Sequence, residues 1–138
     1  MIYPKKITKE EIQEKLTELK KTPGRYWLSL AEKQNKEDAL YKIVHVENNS
    51  IEAAIHKDDF DIYYILDGNA TFTYKGELEG GYSKPGEMDN ETIRGTGIKN
   101  GETSEIKKGD LIIIPKNTPH AMTTKKSITF LTIKVKQP

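Results

Sequence analysis

Cysteine is absent from the 138 residues of the chain. A chain without cysteine has no disulfide framework, no thiolate zinc site and no cysteine nucleophile. An excess of either charge is also lacking, since 22 Lys and Arg residues stand against 21 Asp and Glu residues. A net charge of +1 gives no global electrostatic attraction to nucleic acid or to an anionic membrane. We therefore expect neither as a partner.

Long apolar runs are missing as well. No stretch of the sequence approaches the roughly 20 consecutive apolar residues that a membrane-spanning helix needs. The N-terminal sequence MIYPKKITKEEIQEK lacks the apolar segment of a signal peptide. We therefore expect a cytoplasmic protein. Because 138 residues is the length of one ordinary domain, we expect 1–138 to form a single domain.

Residues 8–22 have the pattern of an amphipathic helix. Thr8 is followed three residues later by Glu11, which is the capping-box arrangement at a helix start. A Pro-Gly pair follows and ends the segment. Apolar residues recur within it at helical spacing, namely Ile12, Leu16 and Leu19. We expect this apolar side to pack on the outside of the remaining structure or to help form a homodimer.

The rest of the chain, over 25–136, has the pattern of short β-strands. Eight stretches are rich in β-branched and aromatic residues and are separated by Gly, Asn, Asp and Pro. They are RYWLSL, YKIVHVE, SIEAAIH, DIYYILD, ATFTYK, TIRGTGI, DLIIIP and SITFLTIKVK. Strands at even spacing without intervening helices predict a mostly β sandwich or barrel.

Two segments of this β region carry candidate metal ligands. His56 and Asp61 flank the sequence KDDF, which we interpret as a hairpin loop that sets the two residues opposite each other. Opposed residues have Cβ atoms about 4.5–5.5 Å apart, so an imidazole and a carboxylate can reach one ion. His120 follows a proline-fixed turn and is predicted to begin a strand, and the preceding strand over Leu111–Ile114 is predicted to be buried.

The first of these segments resembles the first motif of the cupin superfamily, small β-barrels with a metal site inside. That motif has a glycine, His-x-His, three or four residues, a glutamate, six residues and a glycine. Asp61 stands seven residues before Gly68, at the place of the glutamate. His56 then falls at the second histidine, and Ala54 falls at the first.

The second segment resembles the second cupin motif, which is Gly, five residues, Pro-x-Gly, two residues and His. Gly109, Pro115 and His120 match this motif in register, and Asn117 replaces the middle glycine. The resemblance is to small, single-domain, metal-binding cupins such as uncharacterised bacterial members. It implies a double-stranded β-helix, or jelly-roll, barrel with the N-terminal helix added.

The resemblance also implies a site. His56, Asp61 and His120 remain from the usual ligand set, and they would hold a divalent metal ion. Two histidines and one carboxylate suit Fe(II) with open positions or zinc with a bound water, and Mn or Ni is also compatible. Iron would favour an oxygenase, and zinc or manganese would favour a lyase, an isomerase or a hydrolase.

Further residues are candidates for supporting roles. Glu52 has the same strand parity as His56 and is a possible fourth ligand. Tyr63 and Arg94 are candidates for orienting an anionic or polar substrate, or are ordinary barrel residues. His45 is a candidate for pocket lining, although core packing explains it equally well.

Two functions follow from these patterns, and the fold cannot decide between them. The first is a metal-dependent enzyme that acts on a small polar molecule. The second is a barrel that binds a small ligand without catalysis or metal.

Overall fold

The structure is mostly β, as the sequence predicts. It is a computed structural model that describes residues 4–35, 37–82 and 92–137. Within these residues, α1 (Lys9–Lys20) precedes the strands. They are β1 (Trp27–Ala31), β2 (Leu40–His56), β3 (Asp59–Tyr74), β4 (Glu77–Glu79), β5 (Thr92–Gly95), β6 (Gly97–Lys99), β7 (Glu102–Lys107), β8 (Leu111–Ile114) and β9 (His120–Lys136).

Helix α1 covers the outside of the sheet. The Thr8 hydroxyl accepts a hydrogen bond from the backbone N–H of Glu11 at 3.1 Å, which confirms the predicted cap. The apolar side of α1 packs over β1 and β2, where Leu19 forms a buried cluster with Leu28 and Ile43. This packing confirms the prediction that the apolar side of the helix packs on the outside of the remaining structure.

Strand β9 lies between β2 and β3 in a sheet with the order β1-β2-β9-β3-β7. Both neighbours pair antiparallel with β9 along most of its length. Strand β5 also pairs with β2, β8 also pairs with β3, and β4 and β6 form a separate two-stranded sheet. Strand β9 therefore determines where residues of β2 and β3 lie relative to one another, because it pairs with both strands.

The long strands bend so that the two ends of β9 come close together. Lying straight, the segment from His120 to Lys134 would span about 46 Å at the usual rise of about 3.3 Å per residue. His56 nevertheless lies 3.2 Å from the Lys134 ammonium nitrogen, measured from its Nδ1, and its ring centroid is 5.1 Å from that of His120. The bending thus closes the sheet around these three side chains.

Gly68 marks one of the bends. The register of β3 with β9 shifts on both sides of Gly68, and the register of β2 with β9 shifts beside Asn48. Both residues have a positive φ, +80° and +42° respectively. A Cβ at position 68 would lie only 2.1 Å from the Ser127 carbonyl oxygen, so only glycine lets β3 approach β9 this closely.

The main core lies inside the bent sheet. It is lined by alternate residues of the long strands, including Val44, Ile65, Phe72, Ile128 and Phe130. Residues of β2 on the opposite face of the strand point away from this core, and one of them, Ile43, packs against α1. The main core and the helix therefore lie on opposite faces of β2.

Several predicted strand boundaries were wrong. The predicted pairs YKIVHVE with SIEAAIH, and DIYYILD with ATFTYK, are each one continuous strand, β2 and β3. Strand β7 was missed because its sequence, ETSEIK, is almost entirely polar and exposed. Strand β8 is not buried as predicted, since Leu111 is 60% and Ile113 is 63% exposed. A continuous apolar run does not reveal by itself whether a strand lies in the interior or at an edge.

Across the residues with described positions, helices are neither long nor apolar enough to cross a membrane.

Candidate metal centre

Three buried side chains meet near the ends of three strands. His56 is the last residue of β2, Asp61 is the third residue of β3, and His120 is the first residue of β9. One possible ligand atom from each lies within 4.8 Å of the others. Asp61 is only 1% exposed, and both histidines are buried. The structure therefore brings together the three residues that the sequence marks as candidate ligands.

The strand pairing that gathers them differs from the prediction. In the described parts of the chain, β2 pairs with β1, β5 and β9, whereas β3 pairs with β7, β8 and β9. His56 thus lies opposite Thr92 of β5, and Asp61 lies opposite Lys134 of β9. The predicted hairpin ladder between His56 and Asp61 was wrong, because β9 inserts between the two strands.

Both imidazoles present Nε2 to the Asp61 carboxylate. The Oδ2 atom of Asp61 lies 3.3 Å from Nε2 of His56 and 3.8 Å from Nε2 of His120. The other ring nitrogens have partners of their own. Nδ1 of His56 lies 2.8 Å from the Thr92 hydroxyl oxygen, and Nδ1 of His120 donates to the Thr118 carbonyl oxygen at 2.9 Å. Such contacts fix the ring orientation of a metal-binding histidine.

The hydrogen bond of His120 determines where its lone pair points. A carbonyl oxygen can only accept, so Nδ1 of His120 carries the proton. Burial lowers the pKa of His120 to about 4, which leaves the ring neutral at pH 7. Nε2 of His120 is therefore an acceptor that faces a second acceptor, Oδ2 of Asp61, at 3.8 Å. A cation between these two atoms would satisfy both.

The second carboxylate oxygen of Asp61 supports the same conclusion. Oδ1 is buried and is the one buried side-chain polar atom among the described residues that has no hydrogen-bond partner. A buried carboxylate oxygen without a partner is costly, and metal coordination is one of the ways in which proteins satisfy it. The donor set, the orientation of the rings and this oxygen all fit a divalent ion held by His56, Asp61 and His120.

Lys134 is a member of the site that the sequence analysis missed. Its ammonium nitrogen lies 3.2 Å from Nδ1 and 3.3 Å from Nε2 of His56. Lys134 alternates along β9 with apolar residues, of which Leu131 packs on the cluster beneath α1. Thr132 and Lys134 therefore share the face of β9 that is turned to the interior, and Thr132 is indeed buried.

Similar folds occur among solved structures of proteins with little sequence identity to this chain. An uncharacterised conserved protein with a double-stranded β-helix domain from Klebsiella pneumoniae has a TM-score of 0.61 and 14% identity, covering 96% of this chain and 91% of that chain. The cupin domain of Cnp3 from Schizosaccharomyces pombe has a TM-score of 0.57 and 13% identity, covering 80% of this chain and 64% of that chain. The chain has the cupin fold.

A predicted oxalate decarboxylase from Thermotoga maritima shares this fold, with a TM-score of 0.58 and 19% identity over 80% of this chain and 79% of that chain. No family profile matches the sequence, and no curated protein matches it at a significant level. At these identities the likeness establishes the cupin fold and leaves the chemistry to the site itself.

Ala54 falls, by the motif resemblance, at the place of the first histidine. It is buried, and it lies opposite His120 on one side and Arg94 on the other. A methyl group offers no ligand atom. The centre therefore has three candidate ligands, His56, Asp61 and His120, and the remaining positions around an ion would be open to solvent or substrate.

Tyr63 and Arg94 both lie near the centre. The ring of Tyr63 is 6.4 Å from that of His120, measured between centroids. Burial, and after it the Asp61 carboxylate, raises the pKa of the Tyr63 hydroxyl well above its ordinary value. Arg94 is close enough to lower the pKa of both Tyr63 and His120. These placements are compatible with the substrate-orienting roles that the sequence suggests.

His45 and Glu52 lie outside the group of candidate ligands. The His45 ring contacts the Thr129 hydroxyl at 2.7 Å and the Glu47 carboxylate at 3.0 Å. Glu52 is exposed and accepts a hydrogen bond from the Tyr82 hydroxyl at 2.9 Å. The register of β2 with β9 shifts between Ile51 and Ala54, so simple parity with His56 does not predict where Glu52 points.

Proposed function

We propose that this cupin binds one divalent metal ion through His56, Asp61 and His120 and acts on a small polar molecule. The observation that carries the proposal is the lone pair of His120 Nε2, which faces the Asp61 carboxylate at 3.8 Å. The partnerless Oδ1 atom of Asp61 supports it. The ligand set of two histidines and one carboxylate favours Fe(II) or Zn(II), and Mn(II) or Ni(II) is compatible with it.

A metal with open positions would supply Lewis-acid chemistry, or activation of water or dioxygen, next to a bound substrate. The protein's own side chains would do the rest. Thr92 and the Thr118 carbonyl hold the two imidazoles in orientation. Tyr63 and Arg94, which lie close to His120, would orient the substrate. The surrounding core would exclude bulk water, which strengthens electrostatic interactions at the site.

A second candidate is a binding barrel that uses no metal. Lys134 favours it, because the ammonium already supplies a positive charge within 3.3 Å of a candidate ligand nitrogen. Ala54 favours it as well, because it removes one of the usual ligand positions. In that case the polar interior would hold a small ligand by hydrogen bonds and charge alone.

The metal content of the protein distinguishes the two functions. Protein purified without chelator and without a histidine tag is expected to contain close to one equivalent of a divalent metal by mass spectrometry. The His56→Ala and His120→Ala variants are expected to lose nearly all of it, because each removes one of three ligands. Circular dichroism of each variant verifies that the fold is retained.

His45→Ala is the matched control. It also deletes an imidazole from a strand, but this ring contacts Thr129 and Glu47 instead of the centre. We expect it to retain the metal content of the parent protein. A folded parent that contains no metal and does not take up added Fe(II), Zn(II), Mn(II) or Ni(II) would refute the metal site and leave the binding barrel.

A further inference from the structure

Lys134 places a fixed positive charge inside the centre. It lies directly opposite Asp61 in the pairing of β3 with β9, so both side chains leave the sheet on the same face. Its ammonium nitrogen reaches across to His56, 3.3 Å from Nε2. Among the described residues, no carboxylate lies within 4.0 Å of this nitrogen. Lys134 is therefore directed at the candidate ligands and is not held in a surface ion pair.

At this position the ammonium of Lys134 would repel a metal ion bound by His56. Nε2 of His56 is the nitrogen that faces Asp61, and it is also one of the two ring nitrogens that Lys134 contacts. A divalent ion bound there would lie beside a like charge in a buried site, where such repulsion is poorly screened. The formal charges of Asp61 and Lys134 already cancel, so the ion would add two positive charges without a second protein anion from this group.

A second cation stands beside the centre on another strand. Arg94 of β5 lies opposite Ala54 of β2, and Ala54 also lies opposite His120 of β9. Lys134 and Arg94 thus approach the centre from different strands, and cationic side chains placed in this way favour an anionic ligand.

We propose that the centre binds a small organic carboxylate that pairs with the Lys134 ammonium, and that this anion and the metal ion bind cooperatively. This inference rests on the metal site proposed above. One carboxylate oxygen pairs with the ammonium of Lys134, and the anion thereby removes the repulsion that opposes the ion. The other oxygen is available to an open position on the metal. A carboxylate suits this task because it carries one full charge on two separate oxygens.

Cooperativity provides a test that does not depend on turnover. If the anion strengthens metal binding by some factor, the metal must strengthen anion binding by the same factor. The probe is Co(II) titrated into metal-free protein, followed by calorimetry and by the visible absorption of the bound ion. Each titration is done in sodium acetate and again in sodium chloride at equal ionic strength, so that screening is constant.

For the parent protein, we expect acetate to lower the Kd for Co(II) by about tenfold. Lys134→Met is expected to bind Co(II) about tenfold more tightly than the parent in chloride, and to show no further effect of acetate. Lys126→Met is the matched control, since it removes a lysine from the same strand at an exposed position. It should behave as the parent does.

The outcomes separate this inference from the proposed metal site. Tight binding of Co(II) by the parent with the same Kd in both salts would overturn the role of the anion while leaving the metal site intact. Failure of both the parent and Lys134→Met to bind Co(II) in either salt would overturn the metal site and this inference with it. The comparison of the two salts needs only the parent protein, so it remains decisive if Lys134→Met does not fold.

Discussion

Replacing Asp61 by asparagine is expected to raise the Kd for a divalent metal ion by more than about a hundredfold. Asp61 supplies the one carboxylate among the three candidate ligands, and its Oδ2 atom faces both imidazoles. Asparagine has nearly the same shape, but it lacks the charge that offsets the ion. The effect should exceed the loss from removing a residue that merely orients a ligand, which is typically 10- to 100-fold.

The matched control for this variant is Asp59→Asn. Asp59 is also buried and lies two residues earlier on β3, where its carboxylate is 4.0 Å from the Lys136 ammonium. The control makes the same chemical change on the same strand outside the candidate ligands. Calorimetric titration with Zn(II) should therefore give the parent Kd for Asp59→Asn. Equal losses of affinity in the two variants would show that buried charge in general, and not ligation by Asp61, controls metal binding.

Gly68→Ala is expected to lower the free energy of unfolding by about 3 kcal/mol or more. A positive φ of +80° is unfavourable for alanine, and the added Cβ would lie 2.1 Å from the Ser127 carbonyl oxygen. The Ser127 oxygen is a backbone atom, and the position of a Cβ is fixed by the backbone of β3, so the overlap cannot be relieved without disturbing the register of β3 with β9. Urea denaturation of the variant and the parent measures the difference.

The Gly109→Ala variant separates the cost of the backbone conformation from the cost of steric overlap. Gly109 also has a positive φ, +93°, but a Cβ there would meet no atom within 4 Å. We therefore expect a loss of only about 1–2 kcal/mol, the usual cost of that backbone conformation for a residue with a Cβ. A similar loss for both variants would contradict the close approach of β3 and β9 at Gly68, and with it the bend that brings the ends of β9 together.

The spacing of the two motifs predicted which three side chains would lie together. The local alternation of apolar and polar residues did not predict the strand pairing that brings them together. His56, Asp61 and His120 were identifiable because their spacing from Gly68, Gly109 and Pro115 resembles the two cupin motifs. Their actual neighbours depend on β9, which follows β3 by many residues in the sequence and still inserts between β2 and β3. Strand pairing of this kind is set by the whole chain, so no local alternation encodes it.

The bends and the lysine were missed for a related reason. Asn48 and Gly68 have the sequence character of turns that separate strands, yet both lie within continuous strands and bend them. Along β9, alternation separates Lys134 from the apolar residues but does not tell which face is inside. Over residues 131–135 the apolar side chains face outward, where Leu131 packs on the cluster beneath α1, and Lys134 faces the centre.

The most direct test of the metal centre is anomalous diffraction from crystals of the protein soaked in Zn(II). We expect one strong peak at about 2.0–2.2 Å from Nε2 of His56, Nε2 of His120 and a carboxylate oxygen of Asp61. Lys134, whose ammonium nitrogen lies 3.3 Å from Nε2 of His56, should then be displaced from that nitrogen. The absence of a peak among these three residues, or a peak only at other residues, would contradict the proposed metal centre.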